Sequence, residues 1–292
     1  MKIGLRICVN TLQGALEGVP NLLRLFDEYQ VQASFFFAMG PDRSGQLFGR
    51  SALQPWQSHL KFSSRLYGTL LLPPHISRRA SEVMRSAAAA GHETGLLGYD
   101  RAAWVSKAAF ADETWTQQQM MLAVEAYESV FLKRPQAFAA PGWQLNPHLL
   151  GLEQKLGFDY TSDVRGKTAF YPVLQGVESN CPQLPTTLPT LSDLMLRGGD
   201  VTAENAHEYL YSESQYILPN GHIYSLDAEM EGIRYFSLIE KLIVMWKGYD
   251  EGLTTLGKLS VKLDRTSLGR HQVGWSDEET KVFHVATQAL QV

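Results

Sequence analysis

Chemistry is first expected where an apolar run ends in polar side chains. The segment Ile3-Gly4-Leu5-Arg6-Ile7-Cys8-Val9 alternates isoleucine, leucine and valine with other residues. It then breaks into a small polar turn, Asn10-Thr11-Leu12-Gln13-Gly14. Such a run reads as a buried strand whose carboxyl end opens into a pocket. In α/β folds the working groups gather at the carboxyl ends of parallel strands. Cys8 and Asn10 stand at that end, and neither is an obvious acid, base or metal ligand. Cys8 is either a nucleophile, if a neighbouring cation lowers its pKa, or a small residue of a core strand. No histidine is clearly placed as its base, so the core reading is the simpler one. Downstream, Asp100, Asp227 and Glu229 are carboxylates of the kind that bind magnesium or calcium. Arg101, Arg165 and Arg234 are cations with which the same carboxylates would pair instead. His92 opens a strand and reads as a structural hydrogen-bonder; His148 and His222 read as surface or strand-end residues.

The elements that must position these residues alternate in type. Strand signals at Ile3–Val9, 31–37, 92–97, 136–140, 158–162, 183–185 and 221–226 are interleaved with helical spacing at 16–29, 77–90, 115–131, 146–156 and 236–246. That period implies right-handed crossovers and a mostly parallel sheet of about seven strands closing into a barrel. Pro185 and Pro189 are expected to distort the sixth strand, and Leu253–Leu256 reads as a last short strand. The chain has 292 residues, 45% of them hydrophobic and 19% charged, which suits a well-cored globular protein. The formal charge of −4 and the lack of a long basic run disfavour nucleic acid as a partner. Two distant cysteines, Cys8 and Cys181, are expected as free thiols of a reduced, cytoplasmic protein. Arg6 interrupts the first apolar run, so no signal peptide is expected, and no run is long enough to span a membrane. The barrel is placed at residues 1–262, with an insert at about 45–76. A tail at 263–292 carries an amphipathic helix expected at Asp277–Leu290. The insert mixes Trp56, Leu60, Phe62, Leu66, Tyr67 and Leu70-Leu71-Leu72 with His59, Lys61 and Arg65. That is the composition of an interfacial segment with snorkelling cations, or of a long covering loop or dimer contact.

Several stretches together resemble one family. They are Gly4-Leu5-Arg6-Ile7-x-Val9-x-Thr11, Glu17-Gly18-Val19-Pro20, Gln32-Ala33-Ser34-Phe35-Phe36-Phe37, His92-Glu93-x-Gly95-Leu96 and Ala139-Ala140-Pro141-Gly142-Trp143. Tyr160-Thr161-Ser162-Asp163-Val164-Arg165-Gly166, Leu184–Thr190 and Ala228-Glu229-Met230-Glu231-Gly232 complete the set. Over residues 3 to 235 the chain resembles the polysaccharide deacetylases (the NodB-homology domain), above all the branch of formamido-arabinose-phosphoundecaprenol deformylases. The resemblance implies a distorted (β/α)7-type barrel. It also implies metal-assisted amide hydrolysis, with a divalent ion such as zinc held by one aspartate and two histidines, an aspartate as base and a histidine as acid.

Position by position, the resemblance also implies that this machinery is replaced. The base position is Cys8, and the metal-ligand positions are Asn10, Leu97 and Arg101. The arginine that orients the base is Gln144, and the acid position is Asp227. Leucine cannot ligate zinc and a guanidinium repels it. Arg101 is expected to fill the cation's place and to pair with Asp227 or Asp163. Asp163, Arg165, Trp143, Glu229 and Glu231 retain the family's polar, sugar-facing positions. The expectation is therefore a pseudoenzyme without a metal cofactor. It would bind a lipid-linked amino sugar at the inner membrane surface, or pair with an active homologue or with itself. A divergent C–N hydrolase with a rearranged site, and a purely structural assembly subunit, are the alternatives.

Overall fold

The computed structural model describes residues 2–47, 59–197, 200–249, 252–276 and 285–291. Alternation along β1 (Ile3–Val9) sorts its side chains into two layers. Ile3, Leu5, Ile7 and Val9 join the large core between sheet and helices, whereas Cys8 belongs to a second cluster with Phe36, Leu97, Ala139, Tyr160 and Leu184. That second cluster is the barrel interior, because the side-chain period of a strand is two. β2 (Ser34–Phe37), β3 (Glu93–Leu96), β4 (Ala137–Phe138) and β5 (Tyr160–Thr161) follow one another in parallel on one side of β1. A hairpin of β6 (Tyr171–Leu174) and β7 (Val177–Glu178) leaves the barrel before β8 (His222–Asp227) pairs with β1 on its other side. The short β9 (Leu253–Thr254) also pairs with β1.

The barrel closes through an irregular seventh stave. Thr161 donates from its amide to the Pro182 carbonyl (2.9 Å), and the Leu184 amide donates to the Thr161 carbonyl (2.8 Å). On the far side the Thr187 and Leu188 amides both donate to the Ile223 carbonyl (3.1 and 3.2 Å). Prolines 182, 185 and 189 lack the N–H that a regular ladder needs, so the stave makes isolated bridges, as the sequence predicted. Helix signals fall where capping residues sit. Asn146 accepts from the Leu149 amide (3.0 Å) to start the helix Pro147–Leu156, and Gly157 ends it at φ 73°. The helix Phe236–Trp246 matches its predicted span. The helices Arg101–Lys107, Leu191–Arg197 and Ala206–Glu213 were not expected from the sequence.

The tail departs from expectation. Residues 277–284 lie outside the described residues, but Ala286–Gln291 is a strand, β11, antiparallel to β10 (Arg270–Trp275). β10 in turn pairs with β6, giving a second, four-stranded sheet. The reason is non-local: the Arg165 amide donates to the Ala286 carbonyl (2.9 Å) and the Gln288 amide to the Arg165 carbonyl (2.7 Å). A helix there would leave these barrel groups unpaired. Within the insert, residues 48–58, including Trp56, also lie outside the described residues. The remainder makes a turn at Ser64–Leu66, with Phe62, Leu70 and Leu72 exposed by 76%, 81% and 92%.

Candidate functional site

The period of β1 that buries Ile7 and Val9 outward turns Arg6, Cys8 and Asn10 inward, one above another toward the barrel mouth. Deepest is Arg6, 1% exposed, which the sequence reading did not single out. Its guanidinium donates to the Cys8 sulfur (2.8 Å), the Ser225 hydroxyl (2.6 Å) and the Ser162 carbonyl (3.2 Å), and faces the rings of Phe36 and Trp143. The strand alternation was the signal that could have found it. Arg6 alone would lower the Cys8 pKa, but burial outweighs it and pushes the thiol up to about 11. Cys8 is therefore a neutral thiol at physiological pH and a poor nucleophile.

At the mouth, one network joins the predicted residues Asn10, Arg101, Asp227 and Glu229. Arg101 Nε donates to Asn10 Oδ1 (2.5 Å), and Asn10 Nδ2 donates to Asp227 Oδ1 (2.7 Å) and Glu229 Oε2 (3.1 Å). The expected pairing of Arg101 with Asp227 is thus relayed by an amide. Glu229 Oε1 accepts from the Asn10 and Thr11 amides and from the Thr11 hydroxyl (3.0, 2.8 and 2.8 Å). Burial, then the Asp227 charge, pushes Glu229 up to about 7, and its donors oppose the shift. Glu231 is pushed up to about 8 by the same two causes while it accepts from Tyr224 Oη (2.9 Å) and the Asp227 amide (3.1 Å). Arg101 is 7% exposed. Burial works against its charge, and Asp227 and Glu229 are the largest influences that favour it. Asn10, Thr11, Asp42, Arg101 and Ala102 line a cavity of about 10 Å³ here, at the lower limit for one water molecule.

The other predicted residues sit in two neighbouring groups. Trp143, left-handed at φ 53° after Gly142 at 62°, lies under the Arg165 guanidinium at 4.2 Å. Asp193 holds that guanidinium in two hydrogen bonds (2.6 and 3.0 Å). Asp193 also accepts from the Thr190 amide (2.7 Å), and Arg165 keeps its carboxyl below the ordinary range despite burial. Asp193 was not expected from the sequence. Gln144 is buried and accepts the Trp104 indole N–H on its main-chain carbonyl (2.8 Å). Asp163 does not meet Arg101: its oxygens accept from the Ala140 amide (2.7 Å) and from Gln183 Nε2 (2.6 Å) in the barrel wall. Also in that wall, unforeseen, is Glu153, wholly buried, with neither carboxyl oxygen hydrogen-bonded. His92 is structural, as expected. Its Nδ1 accepts from the Ala33 amide (3.2 Å), and burial lowers its pKa to about 4.

These side chains do not fit a divalent cation. Leu97 is a core residue, 1% exposed. Asn10 spends its carbonyl oxygen on Arg101, and a buried guanidinium beside that oxygen repels any metal. Asp100, the third carboxylate considered for a rebuilt site, instead caps the helix Arg101–Lys107 and pairs with Arg43 at 3.2 Å. Among the described residues no three His, Cys, Asp or Glu side chains form a group that could hold a metal.

No family model matches the chain. It is 32% identical over 258 residues, covering 84% of this chain and 81% of its relative, to the probable 4-deoxy-4-formamido-L-arabinose-phosphoundecaprenol deformylase ArnD of Shewanella sediminis. Its fold is similar to that of a probable polysaccharide deacetylase from Pseudomonas aeruginosa PAO1 (TM-score 0.60, 14% identity, 89% of each chain). It is also similar in fold to BA3943, a CE4 family pseudoenzyme from Bacillus anthracis (TM-score 0.52, 14% identity, 89% of this chain and 65% of that one). With an inward-facing first strand, a seven-staved barrel and a relative matched over most of both lengths, the chain belongs to the polysaccharide deacetylase (NodB-homology) family, and ArnD-type deformylases are among its relatives.

Proposed function

We propose that this protein is a non-hydrolytic member of its family, a pseudoenzyme that binds a lipid-linked amino sugar without cleaving it. The observation that carries the reading is the guanidinium of Arg101 bonded to Asn10 where the family keeps its cation. Without a Lewis acid, water stays far too weakly acidic to supply hydroxide near neutral pH. Cys8 is too weakly acidic to serve in its place. Trp143 and Arg165, held by Asp193, stay partly exposed, so a binding surface can outlast the chemistry, whereas Glu229 and Glu231, expected to face the sugar, are each 1% exposed and brace the mouth from within.

The same reading places the protein at the cytoplasmic face of a membrane. Among the described residues no helix is long and apolar enough to cross one. The exposed Phe62, Leu70 and Leu72, with Lys61 and Arg65 beside them, have the composition of a segment that rests in a lipid interface. An ArnD-type relative carries a phosphoundecaprenol sugar in its name, which suits such a surface. Elemental analysis of protein purified without chelator, beside a deformylase and deacetylase assay with added zinc, cobalt and manganese, tests the reading. Substoichiometric metal and no release of formate or acetate are expected. One tightly held ion per chain, or metal-stimulated turnover, would overturn it in favour of a hydrolase with a rearranged site.

A further inference from the structure

Arg165 owes its place at the mouth to its main chain as much as to its side chain. Asp193 holds the two terminal nitrogens of the guanidinium, but Nε has no hydrogen-bond partner among the described residues. The ring beneath it, Trp143, is tied to the irregular stave by its indole N–H, which donates to Thr186 Oγ1 (3.3 Å). How the guanidinium lies over that ring therefore depends on where the backbone of residues 164–168 runs. On one side this backbone is bridged to the stave. The Thr186 amide donates to the Val164 carbonyl (3.0 Å), and the Gly166 amide donates to the Thr186 carbonyl (3.1 Å). On the other side it is bridged to β11, through the amide and carbonyl of Arg165. The C-terminal strand is thus a second rail for the residue that covers Trp143.

Gln288, on β11, adds what a strand ladder does not. Its side-chain oxygen accepts from the next two amides of the loop, those of Lys167 and Thr168 (2.8 and 3.2 Å). Only the oxygen of a carboxamide can accept from two N–H groups, so the orientation of this side chain is fixed. Its Nε2 then donates to Thr168 Oγ1 (3.0 Å) and bonds His271 Nδ1 on β10 (3.2 Å). One side chain thereby ties the loop to both strands of the tail. The loop is shaped to receive it. A Cβ at position 166 would lie 2.6 Å from the Gln288 oxygen and 2.7 Å from its Cβ, so this close approach requires Gly166.

We propose that Gln288 is a positioning residue: through it the C-terminal strand sets Arg165 over Trp143, and this face of the mouth is complete only while β11 is docked. What that face holds rests on the binding reading above; how it is held does not. The test is heteronuclear NMR of the full chain, following the Arg165 Nε–H and Trp143 indole N–H signals, identified through Arg165→Lys and Trp143→Phe. A guanidinium 4.2 Å from the centre of an indole ring lies in its ring current, so the Arg165 signal reports the pair directly. Gln288→Met keeps the length of the side chain and removes its hydrogen bonds. Both signals should then move toward their positions in the unfolded chain, and exchange of the Gly166 amide should quicken by about tenfold or more. Gly166→Ala, which displaces Gln288 from the other side, should move the same two signals. Gln288→Glu keeps the oxygen that the two amides need and should restore them. Thr255→Ala removes a helix cap on the segment after β9, which pairs with the opposite end of β1; a merely destabilising change of this kind should leave both signals in place. Signals unmoved in Gln288→Met, moved equally in Thr255→Ala, or not restored in Gln288→Glu would overturn the proposal. None of these signals reads metal content or turnover, so failure here leaves the non-hydrolytic reading standing, and turnover would leave the positioning of Arg165 standing.

Discussion

Glu153 gives the sharpest test of the electrostatics of this barrel. It sits on the helix Pro147–Leu156 with no exposure and no hydrogen bond to either oxygen. Burial, then the neighbouring Asp163 charge, holds its carboxyl well above the ordinary range. In the unfolded chain the same group loses its proton near ~4.3. Between that value and the raised folded one, the native state therefore binds a proton that the unfolded state has released. The stabilisation is fully present below the unfolded value and is lost as pH rises toward the folded one. Each pH unit crossed between the two values costs about 1.4 kcal/mol. Glu153→Gln keeps the shape but removes the titration. Urea denaturation of the two proteins at half-unit steps from pH 5 to pH 8 reads the difference. The variant should hold its midpoint better as pH rises, with the gap between the two widening as pH rises above the unfolded value. The parallel contributions of Glu229 and Glu231 cancel in the comparison. A constant gap across that range would refute the argument, because it would mean that Glu153 ionises at its ordinary value in the folded protein.

Three further outcomes follow from the same geometry. Cys8, with its thiol pushed up to about 11, should resist iodoacetamide in the native protein at pH 7.5 and react only after unfolding; peptide mass spectrometry showing labelling at the rate of a free thiol would contradict this. Gly18→Ala should destabilise by about 1–3 kcal/mol or prevent folding, since its Cβ would lie 2.1 Å from the Ala228 carbonyl oxygen, which is backbone and cannot swing away; an unchanged thermal midpoint would count against it. Arg101→Met should cost about 3 kcal/mol at pH 7 by leaving Asp227 and Glu229 without their cation, and the loss should shrink toward pH 5 as those raised carboxyls take up protons; a pH-independent loss would assign Arg101 to packing alone.

What the sequence made legible was whatever is encoded locally. The alternation of Ile3, Leu5, Ile7 and Val9, the Asn146 cap and the Gly157 stop are signals carried within a few residues of the elements they fix. The distortion of the seventh stave was legible too, because proline removes a donor wherever it stands. The parts that escaped depend on distant partners. β11 is a strand because Arg165, over a hundred residues earlier, offers it an edge, and its own sequence does not separate strand from helix. The β6–β7 hairpin turns on Gln175 and Gly176, both at positive φ, a weaker signal than an Asn-Gly pair. Asp193 was missed because its task, holding Arg165 over Trp143, is set by a residue 28 positions away. Arg6 was missed for another reason: a charged residue in a buried strand is rare enough that its place in a motif did not suggest that it points inward.

The replaced residues at the mouth make sense only as a set. A cation is still needed there, since Asp227, Glu229 and Glu231 crowd one end of β8 and the turn after it. Arg101 supplies a single positive charge in place of a divalent ion. A full aspartate at position 10 would add another charge to the crowded carboxylates and would lose the donor that Asn10 gives them. The amide suits this centre because it can accept from Arg101 on one side and donate to Asp227 and Glu229 on the other. Leu97 then completes the interior as an apolar wall with Cys8, Ala139 and Leu184. Restoring any one ligand by itself therefore breaks a hydrogen bond or buries an unmatched charge without creating a metal site. On the non-hydrolytic reading proposed above, a route back to hydrolysis would pass through several destabilised intermediates.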